Sequence, residues 1–474
     1  MEGLIHDPQQ PTKADHKPTR PWPWPWNTIN ALLPSPITGS WPQSSPHRTA
    51  YLDGLRGLAS LAVVLSHTLG KTNEDLNLPY GVTPPTSPPS STGKSPLKLP
   101  FIRLLHAGNA AVAIFFVVSG HTLSHRILRR ARARDYSYYA PLSADLSSSV
   151  LRRAARLLLP TVFSSCLVAI LAQLGAFEHA IPSPETVYLI FAKRMASLTA
   201  QLGYWWTREI WRQLLAPWPG PLETVNLAYG YQLWTIPVEL WCSFRLFLHL
   251  LALSRVRTRA RMFLVGVSAA YHIAHARWDV FLFLAGMLTA ELQLIAPVST
   301  SSPSSSPVLS GFAGRVAFSP KRKLQSFALL VVGLFLMSEP ETYPDKSPFW
   351  AFLNRFVPAS FGPQSPDRFW NAVGAPLAVY AAGDLGFVRS VLESRAAQYL
   401  GRISFGLYLV HNAVFCSLGA WLLGFESING NLAILVVVLP VALWVGELFS
   451  RFFDEPVVRL VKWAEKQCLV DETG

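Results

Sequence analysis

The chain has 474 residues, half of them hydrophobic, and carries a formal charge of +13 although only 15% of its residues are charged. Soluble domains average about 25% charged residues, so charge depletion with repeated apolar runs near 20 residues argues against a soluble globular protein and for an all-α, polytopic membrane bundle. The positive excess is mostly arginine between apolar runs, which fits cytoplasmic loops and not nucleic-acid binding, and the four cysteines (Cys166, Cys242, Cys416, Cys468) are too dispersed for a disulfide framework or a zinc site.

Residues 1–50 are rich in Pro, Ser and Thr and include an alternating Pro-Trp run from Pro21 to Trp26. Alternating proline forbids a regular helix, so 1–50 reads as an unstructured cytoplasmic tail whose tryptophans can rest on a bilayer surface. The first apolar span comes too late for a cleavable signal peptide. Apolar runs then predict helices at about 51–69, 108–128, 153–175, 231–253, 262–275, 278–296, 324–338, 370–388, 400–424 and 431–452. Residues 187–202 hold Lys193 and Arg194 and precede a Trp-rich stretch, which predicts an interfacial or re-entrant segment on the far side. With about ten crossings and both termini cytoplasmic, every strongly basic loop falls on one face; one extra crossing at 187–202 would break that agreement. The expected organisation is therefore a tail (1–50), a membrane domain (51–460) and a cytoplasmic C-terminal tail (461–474).

The first helix carries the most unusual pattern. It reads Leu-Asp53-Gly-Leu-Arg56-Gly, then an apolar run to Ser66-His67. Arg56 and His67 are eleven residues apart, roughly three helical turns or ~16 Å, so they share a face. Ionisable groups at membrane depth are costly and usually face a protein interior or a wet path. Plainer readings stand beside this one: Arg56 paired with Asp53 at i, i+3, and His67 satisfied by neighbouring helices. Further candidates follow. Helix 2 has Phe-Phe-Val-Val-Ser119-Gly120, where the small pair favours close packing. Arg153 and Arg156 share a face in Arg-Arg-Ala-Ala-Arg-Leu-Leu-Leu-Pro. Glu239 sits in an apolar span in Trp-Thr-Ile-Pro-Val-Glu. Tyr408 and His411 share a face in Gly-Arg-Ile-Ser-Phe-Gly-Leu-Tyr-Leu-Val-His, and Asp454-Glu455-Pro456 follows the last helix. No Gly-x-Ser-x-Gly nucleophile pattern frames Ser119 or Ser404.

These motifs, in this order, resemble those of the acyltransferase-3 family of multi-pass membrane enzymes, which move an acyl group, often acetyl from acetyl-CoA, onto a hydroxyl. The Arg-x10-His of the family's first helix is matched by Arg56 and His67. Its Phe-Phe-Val-x-Ser-Gly, Arg-x-x-Arg, fungal-type Trp-Thr-Leu-Pro-Val-Glu, Gly-x-Ile-Ser-Tyr-x-Leu-Tyr-Leu-x-His and closing Asp-Glu-Pro turn are matched in turn, with Phe405 replacing the family's tyrosine after Ser404. The resemblance implies a membrane O-acyltransferase with acyl-CoA as co-substrate, no permanently bound cofactor and no metal. It would take the hydroxyl of a small-molecule (secondary metabolite) or carbohydrate acceptor. The implied catalytic residues are His67 as base, with Glu239 and His411. Arg56, Arg153 and Arg156 would hold the CoA phosphates, and Asp53, Ser119 and Tyr408 the substrate. Arg56 and His67 are expected to look into one passage long enough for an extended thioester. The alternative is a transporter or channel with the same polar stripe as a solute or proton path; the internal repeats common in transporters are not evident.

Overall fold

The computed structural model describes residues 32–41, 49–85, 91–132, 139–178, 194–215, 228–295, 320–362, 366–424 and 430–468. The chain divides into two units, Met1–Ser40 and Trp41–Gly474. The described part of the first is a short helix, Ser35–Thr38, closed by Gly39 at φ 70°, a left-handed conformation that suits glycine. The Pro-Trp run lies outside the described residues. All that follows concerns the second unit.

Every regular element among the described residues is helical. Those of seven residues or more are, in chain order, α1 (Ala50–Thr72), α2 (Gly108–Arg132), α3 (Tyr139–Gln173), α4 (Leu198–Tyr204, continued by the turns described below), α5 (Tyr231–Ala252), α6 (Thr258–Ala274), α7 (Trp278–Ile295), α8 (Pro320–Leu336), α9 (Pro366–Asp384), α10 (Gly386–Leu392), α11 (Arg395–Leu423) and α12 (Gly430–Gln467). Six of them, α2, α3, α5, α7, α11 and α12, are long and apolar enough to cross a membrane. The ten crossings expected from the sequence are thus not established. In α1 the polar stripe of Asp53, Arg56, Ser60, Ser66 and His67 dilutes an otherwise apolar 23-residue helix. Helices α6 and α8 have 17 residues each, short of the roughly 20 that span a bilayer. Helix α9 carries Asp367, Arg368 and Asp384.

Helix α1 lies between α11 and α2; α2 packs against α7 and α9, α8 against α9, and α12 against α11 and α3. Small residues set the closest approaches. Where α1 meets α11, a Cβ on Gly57 would overlap the Gly401 nitrogen, and one on Gly401 would overlap the Asp53 carbonyl. Gly120 and Gly286 likewise bring α2 onto α7, so Gly120 packs as its neighbourhood in sequence predicts. Ion pairs tie the ends. Arg322 on α8 holds Asp384 on α9 at 2.9 and 3.0 Å, and Arg261 on α6 pairs with the buried Glu291 on α7.

Several expected boundaries move. Helix α3 begins at Tyr139, not near 153, so Arg152, Arg153 and Arg156 lie well inside a helix. Helix α9 starts and stops about four residues early, and 386–392 forms the separate α10. Residues 187–193 lie outside the described residues. From Leu198 the chain is helical, continuing in widened π-type turns from Trp205 to Leu215, with Trp206 and Trp211 exposed and Glu209 buried. Asp454-Glu455-Pro456 is not a closing turn. Helix α12 runs through it as far as Gln467, because a widened turn at Ser450–Asp454 takes up the register change at Pro456, which has no N–H to donate. Residues 461–467 of the expected tail therefore belong to this helix.

Candidate active site

Helices α1 and α11 run in the same direction, so equivalent depths of the two meet. Near their N-termini, Arg56 Nε donates to Ser404 Oγ at 3.0 Å and its NH2 to the Gly401 carbonyl at 3.2 Å, with Asp53 3.7 Å away. Three turns further on, His67 Nδ1 lies 3.0 Å from His411 Nε2, and the rings stack at 5.2 Å. The second nitrogen of His411, Nδ1, is 3.1 Å from the Leu407 carbonyl. A carbonyl only accepts, so His411 carries its proton on Nδ1. With both rings uncharged, His411 Nε2 is then the acceptor and His67 Nδ1 the donor. That order places the basic lone pair on His67 Nε2.

Arg153, brought in by α3, is the most firmly held cation. Its Nε donates to Ser243 Oγ at 3.0 Å, and its NH2 donates to Glu239 Oε1 at 2.5 Å and to Ser119 Oγ at 3.3 Å. Ser119 in turn donates to Glu239 at 2.5 Å. Glu239 is thus a counter-ion on α5 that fixes an arginine on α3. The Tyr408 hydroxyl donates to the Gln232 carbonyl at 2.5 Å and lies 2.6 Å from Thr235 Oγ1, which clasps α11 to the start of α5.

A cavity of about 490 Å³ joins Arg56, Arg153, Ser119, Glu239 and Tyr408, within the size range of small-molecule sites. Six basic side chains line it: Arg56, Arg152, Arg153, Arg156, Arg402 and Lys462. Three carboxylates accompany them: Asp53, Glu239 and Asp454. Its apolar side is Val112, Phe115, Phe116 and Ile236, and Thr235 and Tyr408 also line it.

Comparison with known proteins decides what kind of chain this is. The acyltransferase-3 family profile, described as "Acyltransferase domain", matches residues 49–451. The chain belongs to the acyltransferase-3 family. It is 30% identical to the O-acetyltransferase PaAT-1 of Phomopsis amygdali over 480 residues, 94% of this chain and 90% of that protein. It is 26% identical to the acyltransferase R4 of a Phoma species (88% of this chain, 96% of that protein) and 26% identical to the acyltransferase clz18 of Cochliobolus lunatus (89% and 96%). No solved structure matches the chain. It is therefore an acyltransferase, handling an acyl donor and an acceptor, with six helices among the described residues long and apolar enough to cross a bilayer.

Within this acyltransferase, seven of the nine residues singled out from the sequence line the cavity: Asp53, Arg56, Ser119, Arg153, Arg156, Glu239 and Tyr408. The other two, His67 and His411, bond to each other beyond it. Tyr408 stands between, with its ring 6.0 Å from His411 on one side and facing the cavity on the other. The cavity that holds the arginines therefore does not take in the imidazoles, and Tyr408, bonded to Gln232 and Thr235, lies between the two. Sequence reasoning missed Ser404 and Ser243, which hold Arg56 and Arg153, and Asp454, which joins the cavity from α12. Ser404 was within reach, because it is two turns before His411 and on the face that meets α1. Asp454 carried no such signal, since its place depends on the widened turn that ends at it.

Proposed function

We propose that the protein is an O-acyltransferase that moves an acyl group, acetyl by analogy with the O-acetyltransferase PaAT-1, from acyl-CoA to a hydroxyl of a small molecule or carbohydrate. The observation that carries the reading is the juxtaposition of a basic cavity with a polarised histidine pair one helical turn beyond its end. Phosphate groups suit clustered guanidinium forks, and a coenzyme A thioester is long enough to extend from such a cluster toward the interior. Arg56, Arg153 and Arg156 hold the phosphates. The pantetheine arm passes Tyr408, which must swing aside to admit it. The acceptor oxygen attacks the thioester carbonyl while His67 Nε2 takes the hydroxyl proton. His411 fixes the tautomer of His67 through its own bond to Leu407. The imidazolium then returns the proton to the departing thiolate, so the products are an ester and free CoA thiol.

The fungal-type Trp234-to-Glu239 motif supports a small-molecule acceptor over a polysaccharide. The distribution of basic residues supports cytoplasmic termini, with the donor entering from the cytoplasmic face where the arginine cavity lies, and some of the shorter helices crossing as well. The direct test is equilibrium binding of labelled acetyl-CoA to the purified protein, joined with a comparison of the esters made by cells with and without the chain. Saturable binding that Arg56→Ala weakens about tenfold or more, and an ester lost with the chain, are the expected results. A wild-type protein that binds no acetyl-CoA contradicts the reading.

A further inference from the structure

Asp454 takes no part in the steps above, yet it sits among the phosphate-binding groups. Its Oδ1 is buried and accepts no hydrogen bond among the described residues. The charged groups it faces are Arg156 on α3, Arg56 on α1 and its own neighbour Glu455. The three arginines differ in how they are held. Arg153 is fixed by Ser243, Ser119 and Glu239, and Arg56 by Ser404 and the Gly401 carbonyl. Arg156 makes no hydrogen bond among the described residues; what attracts it is Asp454, while Arg56, Arg153 and Arg152 repel it. The carboxylate is delivered by the widened turn Ser450–Asp454, a local irregularity of a kind that often marks functional positions.

A carboxylate oxygen buried without a donor is destabilising by itself. Here it offsets the mutual repulsion of clustered guanidinium groups while no ligand is present. A phosphate that enters must compete with it for the same cations. The acyl donor and the spent CoA carry identical phosphates, so a site that grips them uniformly holds the product as firmly as the substrate and delays its release. An internal anion loosens both. We propose that Asp454 is an internal counter-anion that competes with the donor's phosphates for Arg156 and Arg56 and so hastens release of CoA; this rests on the reading of the cavity as the donor's phosphate site. Asp454 is a positioning residue in this scheme, acting through the two arginines and touching no reacting atom.

The sign of one measurement separates this role from a structural one. Loss of a structural ion pair weakens binding, whereas loss of a competitor strengthens it. CoA and acetyl-CoA binding is measured on the full-length protein in nanodiscs, for wild type, Asp454→Asn and Asp454→Ser. Both variants are expected to bind CoA about tenfold more tightly and to release it correspondingly more slowly. Their affinity for S-acetylpantetheine, which lacks phosphate, is expected to stay at the wild-type value, and raised salt to shrink the CoA difference. Equal or weaker CoA binding by the folded variants overturns the proposal, as does failure of both variants to fold, which makes Asp454 structural. A wild-type protein that binds neither CoA nor acetyl-CoA overturns the donor reading instead, and so the two failures are told apart.

Discussion

At the scale of single residues, two arginines three positions apart make opposite demands on the fold. Arg153 has three hydrogen-bonding side chains, the Glu239 carboxylate among them; Arg156 makes no hydrogen bond among the described residues and has only the attraction of Asp454. Arg153→Ala strands Glu239 inside the bundle and is expected to lower stability by about 3 kcal/mol as well as weakening donor binding. Arg156→Ala, which breaks no hydrogen bond but removes a cation that attracts Asp454, is expected to weaken donor binding and to lower the unfolding temperature by less than Arg153→Ala does. Thermal unfolding and acetyl-CoA binding on the same preparations check the contrast, and equal destabilisation by both removes it. His411→Ala deprives His67 of the bond that orders its tautomer and is expected to slow turnover about a hundredfold with donor affinity retained. The identity of these residues was legible in the sequence because ionisable groups stand out against apolar helices. Their partnerships were not. Nothing in the spacing of Glu239 says that it meets Arg153, 86 positions earlier, instead of a histidine, and Ser119 was legible as a packing residue while its hydroxyl also bridges that pair.

At the scale of elements, contact between backbones governs what can change. A methyl group on Gly57 or Gly401 must push α1 from α11, and Gly57→Ala is expected to destabilise the protein by roughly 1–3 kcal/mol. A methyl group on Gly266 of α6 would meet nothing within 4 Å, so Gly266→Ala is expected to be neutral or slightly stabilising. Denaturation of the two variants in the same detergent checks this; similar losses would contradict the packing described. Outside the arginine-lined cavity, Glu339 lies buried just after α8. It accepts from Asn354 Nδ2 at 2.8 Å, and its other oxygen takes up no hydrogen bond among the described residues. Burial pushes its carboxyl up to about 8, outweighing the bond from Asn354 and the pull of Arg103, while Asp367 adds to the rise. A carboxyl raised in this way holds its proton more tightly in the folded state. Its contribution to stability is complete below the ordinary value of 4.5 and is lost as pH rises through about 8. Hydrogen exchange in residues 339–362 is therefore expected to quicken between pH 5 and pH 8 by more than its intrinsic rate, and Glu339→Gln is expected to flatten that excess. An unchanged profile in the variant contradicts this role. The start of α3 and the extension of α12 escaped the sequence reading for a shared reason. Ser-rich 143–149 and Asp454-Glu455-Pro456 have poor local propensity, and each is continued as helix within a packed element: Asp145 pairs with Arg126 and Arg130 of α2, and the end of α12 packs on α3.

At the scale of the whole molecule, all-helical class and repeated membrane crossing follow from composition alone, because burying backbone in lipid leaves helices as the solution for such runs. The number of crossings does not follow so simply. Helices shielded by their neighbours tolerate polar residues that lower their hydropathy, as α1 shows with its stripe turned toward α11 and the cavity. Arginine counts are also an ambiguous guide here, since several arginines that signal a cytoplasmic loop are committed to ion pairs, among them Arg261 with Glu291 and Arg322 with Asp384. In a chain whose native cysteines are replaced, cysteines placed at Ser254 and Lys321 are expected to react with an impermeant thiol reagent from one face of the membrane, and one placed at Lys346 from the other. Labelling of all three from one face contradicts the topology proposed.

The central claim is that a basic cavity holds the donor while a histidine beyond it moves the proton. The most direct measurement is a paired assay on His67→Ala: equilibrium binding of labelled acetyl-CoA, and transfer of the label to acceptor in extracts of cells lacking the chain. The account predicts donor affinity within about threefold of wild type and transfer reduced by about 10²–10⁴-fold. Wild-type transfer by the variant would contradict it.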